Sequence, residues 1–377
     1  MKNISYWLDI PYTSRPSLKQ DRETDVVVIG AGITGVSAAY HSVKAGFKTV
    51  LIERDVIASG SAGKNGGMVV EGLAIDFVEA EKQFGKEQAI EAWQRTIDAR
   101  EYVVSLIESN NIACDFSRSG SLYVASESQD ISTLQDELQA RHHANFIGEI
   151  IPQFEPKKDT LLVANDCSLH PVKFVRGLAE IAEKAGLSVY EQTPALSFDV
   201  HTVTTPHGII HAKKVVVAIE SNKTDLTENY GIIKRELALV TEPLSDEDIS
   251  ALSWDKGGMF WNTGNNYIAV RKIGNRLFLN GSINLNPSEK DLLNAEEKII
   301  ERFLAFVQNP SKENLAVSHR WTGLLLYPTR NRPFITQQNG YYELFGNGGN
   351  GLTNGIMIGK LLVESFLGEN IPDIYQD

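Results

Sequence analysis

Asp25-Val26-Val27-Val28-Ile29-Gly30-Ala31-Gly32-Ile33-Thr34-Gly35 reads as a strand, a tight turn and the opening of a helix. The apolar run Val26–Ile29 has the continuous character of a parallel strand buried on both faces. Gly30, Gly32 and Gly35 follow in G-x-G-x-x-G spacing. In such a turn the first glycine permits the bend, the second lets backbone approach a pyrophosphate, and the third lets the helix pack closely on the strand. The N–H groups of the helix opening, at Ile33 and Thr34, favour phosphate charge. A second strand, Thr49–Ile52, ends in Glu53, eighteen residues after Gly35. That is near the spacing at which a carboxylate accepts hydrogen bonds from an adenosine ribose, and Arg54 stands beside it. Strand, turn, helix, strand and terminal acid in this order predict a dinucleotide-binding βαβ unit, which a glycine-rich turn alone would not.

Working outward, a second small-residue loop follows, Ser59-Gly60-Ser61-Ala62-Gly63-Lys64-Asn65-Gly66-Gly67. A plain NAD-binding unit has no need of it. Backbone at Asn65, Gly66 and Gly67 could run under an extended ligand while Ser61 and Lys64 reach phosphate oxygens, which points to FAD. Near the other end, Gly346-Asn347-Gly348-Gly349-Asn350-Gly351-Leu352 leads into an apolar helix expected at 356–367. Glycines packed this densely before a helix mean that backbone must come close to something.

The composition is that of an ordinary globular chain: 377 residues, 42% hydrophobic and 22% charged, enough for two domains. A formal charge of −12 argues against nucleic acid and anionic lipid as partners and mildly favours a cationic substrate. Cys114 and Cys167 make neither a disulfide framework nor a metal-ligand pattern, so no metal site is expected. The sequence shows no run of transmembrane length and no signal-peptide core, and a cytoplasmic location is expected. Residues 1–24 read as an extended arm anchored by Tyr6 and Trp7. The order of the later elements suggests that Cys114–Phe116 and Ser121–Ala125 form a hairpin, and that Leu161–Val163 returns to the first domain.

The two glycine loops resemble those of the FAD-dependent amine and amino-acid oxidoreductases, a family that includes D-amino-acid dehydrogenase, glycine oxidase, sarcosine oxidase and γ-glutamylputrescine oxidase. Lys64 replaces the arginine usual in the second loop, which keeps the charge and loses the planar fork. The resemblance implies an α/β fold with an α+β second part: a glutathione-reductase-like, Rossmann FAD-binding domain joined to an antiparallel-sheet substrate domain. The segments expected are 1–80, 156–230 and 326–377 for the first domain and 81–155 and 231–325 for the second. It further implies that Val189 contacts adenine, and that Gly346, Gly348, Gly349, Asn350, Gly351 and Leu352 meet the flavin's N1–C2 edge. Glu220 departs from the family, which commonly has glycine there. FAD is expected to be non-covalent, because the cysteines lie too early and the Ser59–Gly67 loop has no histidine.

The activity implied is oxidation of a C–N bond in an amine or N-substituted amino acid. Hydride would pass to flavin N5, the imine would hydrolyse, and oxygen or a quinone would take the electrons. A D-amino-acid dehydrogenase using a quinone and a flavin-binding sensor or assembly subunit without turnover are the alternatives. In the segment 321–335, Leu325 stands where amino-acid oxidases keep an arginine for the substrate carboxylate. Arg271, on a hairpin expected over the flavin, and Arg330 are the remaining candidates for a substrate anion, with Arg332 close by; ordinary surface or inter-strand arginines are the other reading.

Overall fold

The computed structural model describes all residues except 155–157, 220–229, 253, 255, 265, 308–314, 338 and 377. Glu220 therefore lies outside the described residues. The expected βαβ unit is present. The strand Arg22–Ile29 pairs in parallel with Thr49–Ile52 on one side and with Gly208–Val217 on the other. Ser188–Tyr190 extends the sheet beyond Thr49–Ile52, and Tyr342–Phe345 extends it beyond Gly208–Val217, both in parallel. Phe334–Thr336 closes that edge antiparallel. Val26, Val27 and Val28 are fully buried, as a strand covered on both faces must be.

Helices Ile33–Lys44, Lys86–Asn110, Pro171–Lys184 and Gly351–Phe366 share one apolar core with this sheet. Two of them meet almost backbone to backbone. A Cβ on Gly355 would stand 2.8 Å from Thr34 Oγ1, and one on Gly359 2.8 Å from Ala38 N. These glycines, spaced four apart on one helix face, bring the two helix openings side by side.

The second sheet runs Val317–Pro328, Gly231–Thr241, Arg276–Ile283, Ala269–Ile273, Met259–Asn262, Ser121–Val124, Lys158–Val163 and Glu149–Gln153. Its neighbours are antiparallel except Met259–Asn262 with Ser121–Val124, which are parallel, so the expected antiparallel sheet carries one parallel seam. The period of two divides its faces. Leu237, Leu239, Leu277, Leu279, Val270 and Phe260 point into a second core shared with Phe303 and Ile299 of helix Glu289–Leu304. The alternate residues Glu236, Ala238, Phe278, Asn280, Ala269 and Trp261 line a cavity between this sheet and the first.

Two expectations need correction. Ser121–Val124 pairs with Lys158–Val163, not with Cys114–Phe116. Leu161–Val163 therefore belongs to the second sheet. The chain rejoins the first core only around Cys167–Leu169. Short apolar runs fit either sheet equally well, so pattern alone could not place them. Among the described residues no helix is long and apolar enough to cross a membrane.

Candidate active site

The cavity is ≈ 850 Å³ and reaches from the loop after Thr49–Ile52 to the open face of the second sheet. At one end it is lined by Gly30, Gly32, Ile33, Thr34, Glu53, Arg54, Ser61, Lys64, Asn65 and Gly66, with Gly348, Gly349, Asn350, Gly351 and Leu352 further along. Gly32 is the most telling. A Cβ there would meet nothing nearer than Ala62 Cβ at 4.0 Å, so the bare backbone faces open space that a side chain would fill. Gly349 and Gly351 are equally bare; their nearest neighbours would be Tyr327 Oη at 3.8 Å and Asn347 Cβ at 3.9 Å. The helix begins at Gly351, five residues earlier than expected, with Asn350 as its N-cap. Two helix openings, at Ile33 and Gly351, thus border one cavity, and unpaired N–H groups and dipoles there suit anionic oxygens. These features fit FAD, which Gly32–Thr34 and Gly349–Leu352 would hold through their backbone N–H groups.

Other residues of the loops act on the protein itself. A Cβ on Gly35 would lie 1.9 Å from Gly30 O, so Gly35 serves helix packing and does not line the cavity. Glu53 Oε2 accepts the Ala31 N–H at 2.8 Å and Oε1 that of Asp55 at 3.0 Å, bracing the turn at the cavity's edge. Ser61 Oγ donates to Leu324 O at 3.0 Å, tying its loop to the second sheet, so the expected phosphate donor is engaged elsewhere. Asn65 Nδ2 donates to Ala62 O at 2.8 Å and Oδ1 accepts the Gly67 N–H at 2.7 Å. The arm holds the same loop from outside: Ser5 Oγ donates to Gly63 O at 2.6 Å and Trp7 Nε1 to Asn65 O at 2.7 Å.

Several expected contacts fall away from the cavity. Val189 packs in the first core, and Thr193, Pro194, Ala195 and Phe198 form the wall beside Glu53. Gly346, at φ +84°, makes a turn against Arg332 O and Pro328. Gly67, at φ +68°, backs onto Arg271. Arg271 is 3% exposed, and its Nη1 donates toward Gly66 O (3.0 Å), Gly67 O (2.9 Å) and Leu169 O (2.6 Å). Burial pushes its pKa down to about 10. It clamps the glycine loop and does not reach the cavity; a strand pattern shows that it faces the first domain but not what it meets there. Arg330 Nη1 donates to Gln376 O at 2.7 Å and Arg332 Nε to Ile374 O, so both fasten the C-terminal segment instead of lining the cavity.

The other end of the cavity was not read from the sequence. Tyr123, Trp261, Tyr267 and Tyr327 line it, with the carboxylates Asp76, Glu71 and Glu236 and with Leu325. Glu71 is paired: Arg100 Nη1 and Arg141 Nη1 each lie 2.7 Å from it, Arg100 also holds Asp166 at 2.9 Å, and Arg141 holds Glu137 at 2.9 Å. Asp76 is pushed up to about 6, first by burial and then by Glu137 nearby; Tyr123 Oη donates to it at 3.3 Å. Glu236 accepts a hydrogen bond from Asn280 Nδ2, and burial pushes it up to about 7. Burial first, and then Glu236, raises the phenols of Tyr267 and Tyr327 as well, Tyr327 to about 12. The signal that could have found Glu236 is a carboxylate at an inward position of an otherwise apolar strand.

A family model described as FAD dependent oxidoreductase (DAO) matches residues 25–365. γ-Glutamylputrescine oxidoreductase of Escherichia coli (strain K12) is 26% identical over 95% of this chain and 87% of its own length. Glycine oxidase of Bacillus licheniformis is 25% identical over 92% of this chain and 94% of its own. The crystal structure of glycine oxidase from Geobacillus kaustophilus superposes with a TM-score of 0.74 at 15% identity, covering 93% of this chain and 96% of that one.

Proposed function

The chain belongs to the FAD-dependent oxidoreductase family, an enzyme family acting on amines and amino acids, and from that premise we propose that it oxidises the C–N bond of an amine or N-substituted amino acid. FAD, when bound, supplies the acceptor for the hydride leaving the carbon beside nitrogen. Gly32, Ile33, Thr34 and the Gly349–Leu352 helix opening hold the cofactor, without a covalent link. The rings of Tyr123, Trp261, Tyr267 and Tyr327 enclose the substrate and exclude water, and the imine hydrolyses after release.

The observation that carries this reading is the charge of the substrate end. Besides Glu71, which is paired with Arg100 and Arg141, its carboxylates are Asp76 and Glu236. Its guanidinium groups are engaged: Arg141 with Glu71 and Glu137, and Arg235 with Leu285 O and Thr322 Oγ1. Leu325 occupies the wall where a carboxylate-binding arginine was sought. Burying an α-carboxylate there unpaired is costly, whereas a cation on aromatic faces beside carboxylates is favoured. An anaerobic screen scored by flavin bleaching tests this. Alkyl amines and polyamine derivatives should bleach the flavin faster than D-alanine; fastest bleaching by D-alanine overturns the substrate assignment. Oxygen uptake against quinone reduction then assigns the electron acceptor, which we propose is one of these two.

We also propose the five-segment domain plan, with the third segment beginning near Cys167 instead of 156 and with helix Lys86–Asn110 packed in the first core, supported by the alternation of strands between the two sheets. A cytoplasmic location is proposed with it, supported by the two buried thiols, Cys114 and Cys167, standing free.

A further inference from the structure

Glu236 is a carboxylate on a strand whose inward neighbour two residues on is Ala238, on the second sheet's open face. It is 9% exposed, and its hydrogen bond comes from a neutral amide, Asn280 Nδ2. Among the described residues no ion pair reaches it. Lys234, two residues before it, holds its ammonium 4.1 Å from the centre of the Tyr327 ring. Asn280 is itself 9% exposed, lines the cavity, and leaves Oδ1 without a hydrogen-bond partner among the described residues. A buried acceptor of that kind lacks a donor, and a buried carboxylate held by one neutral hydrogen bond has no charge to offset its own. Both residues belong to one wall of one cavity, and the carboxylate favours an N–H-bearing cation there.

Asp76 is less suited. It lies by the buried Glu71–Arg141–Glu137 network, whose Arg141 already offsets part of its charge.

We propose that Glu236, held by Asn280, receives the substrate's ammonium group and takes one proton from it before oxidation. This rests on the amine reading above. The step is a proton transfer: one N–H bond of R₂CH–NH₃⁺ breaks, an O–H bond forms on the carboxylate, and the electron pair stays on nitrogen as the lone pair that assists hydride departure. No electrons change hands in it. A raised carboxylate suits the task, because a group with an ordinary acid strength would hold the ammonium without relieving it of a proton. Glu236 is raised to about 7 by burial, against the opposing effects of Asn280 and Lys234. The titratable and charged groups facing it are Lys234 on its own strand, Tyr267 from the loop before Ala269–Ile273, and Tyr327 from Val317–Pro328. The two phenols, raised by burial, stay neutral throughout the range in question.

tert-Butylamine separates binding from turnover, because its carbon beside nitrogen carries no hydrogen and its ammonium stays protonated to about pH 10. The FAD-loaded protein is titrated with it calorimetrically across pH. The dissociation constant should be level above about pH 7 and rise about tenfold per pH unit below it, as Glu236 becomes protonated. Glu236→Gln keeps the shape and the FAD content; it should bind about 10–100-fold more weakly at pH 8 and lose the pH dependence. A flat wild-type profile, equal affinity in Glu236→Gln, or a midpoint near 6 that Asp76→Asn abolishes instead, overturns the assignment. Should tert-butylammonium binding follow Glu236 while no oxidisable amine bleaches the flavin, the cation site stands and the oxidation reading falls.

Discussion

At its nucleotide end the cavity offers backbone, and at its substrate end it offers side chains projecting from strands and loops far apart in sequence. Gly32, Gly349 and Gly351 meet the first with nothing beyond Cα, where any side chain would intrude. Asp76, Tyr123, Glu236, Trp261, Tyr267 and Tyr327 build the second from separate segments. The difference is one of tolerance. A backbone site depends on what is missing, so it fails when an atom is added. A side-chain site depends on what is present, so it fails, or changes its substrate, when atoms are exchanged.

The largest effect should therefore come from adding atoms at the nucleotide end. Gly32→Val should purify with little or no FAD, read from the ratio of flavin to protein absorbance. Because the new Cβ meets only empty space, the FAD-free variant should melt within about 0.5 kcal/mol of FAD-free wild type. Full flavin content would mean that this backbone does not face the cofactor.

Arg271→Ala probes the border between the two ends. Its loss removes the guanidinium donor from Gly66 O, Gly67 O and Leu169 O, of which Gly67 O keeps the Leu169 N–H, so stability should fall by about 2–3 kcal/mol in urea unfolding, and flavin content should fall with it. A raised KM for an anionic substrate with stability unchanged would move Arg271 back into the substrate end.

Asp76→Asn should act in the opposite direction. A carboxyl raised from 3.8 to about 6 is one whose ionisation the fold resists, so the native state holds the proton more tightly than the unfolded chain does. Stability is then lost as pH climbs from about 4 to about 6, and the deficit persists above that. The asparagine variant should be about 1–3 kcal/mol more stable at pH 8 and indistinguishable below about pH 4. The side chain makes no cap hydrogen bond, and the charge–dipole gain of about 0.3–1 kcal/mol at a helix start is the smaller effect. Unfolding midpoints at the two pH values decide it.

Lys64→Ala should do least. The side chain is exposed, and a solvated charge near a phosphate is worth about 0–1 kcal/mol. FAD affinity should change no more than about fivefold; a loss beyond about a hundredfold would show that the nucleotide end also relies on side chains.

The same contrast explains what could be read in advance. The order of Val26–Ile29, Gly30, Gly32, Gly35 and Glu53 is local, and each residue's role follows from sterics within one βαβ unit, so the sequence carries it. The glycines before Gly351 are legible for the same reason. Glu236 and Asn280 meet only because Gly231–Thr241 and Arg276–Ile283 pair in one register, with Ala238 opposite Asn280. No local pattern encodes that register. Arg271 shows a further limit: the alternation of its strand gives the direction of the guanidinium, but its acceptors, Gly66, Gly67 and Leu169, come from segments more than a hundred residues away.

The arm that grips the Ser59–Gly67 loop has a consequence in time. Lys2 N donates to Ser318 O at 2.7 Å and Arg320 N to Lys2 O at 2.9 Å, so the arm is anchored to a strand more than three hundred residues further along the chain. The helix opening at Gly351 comes later still. Contacts this remote in sequence form slowly and late, after the closure entropy of the whole intervening chain has been met. During synthesis the glycine loop waits unlatched and the second helix opening does not yet exist. Both helix openings are needed to border the cavity, so the cofactor site is complete only once Gly351 and the helix it opens are in place.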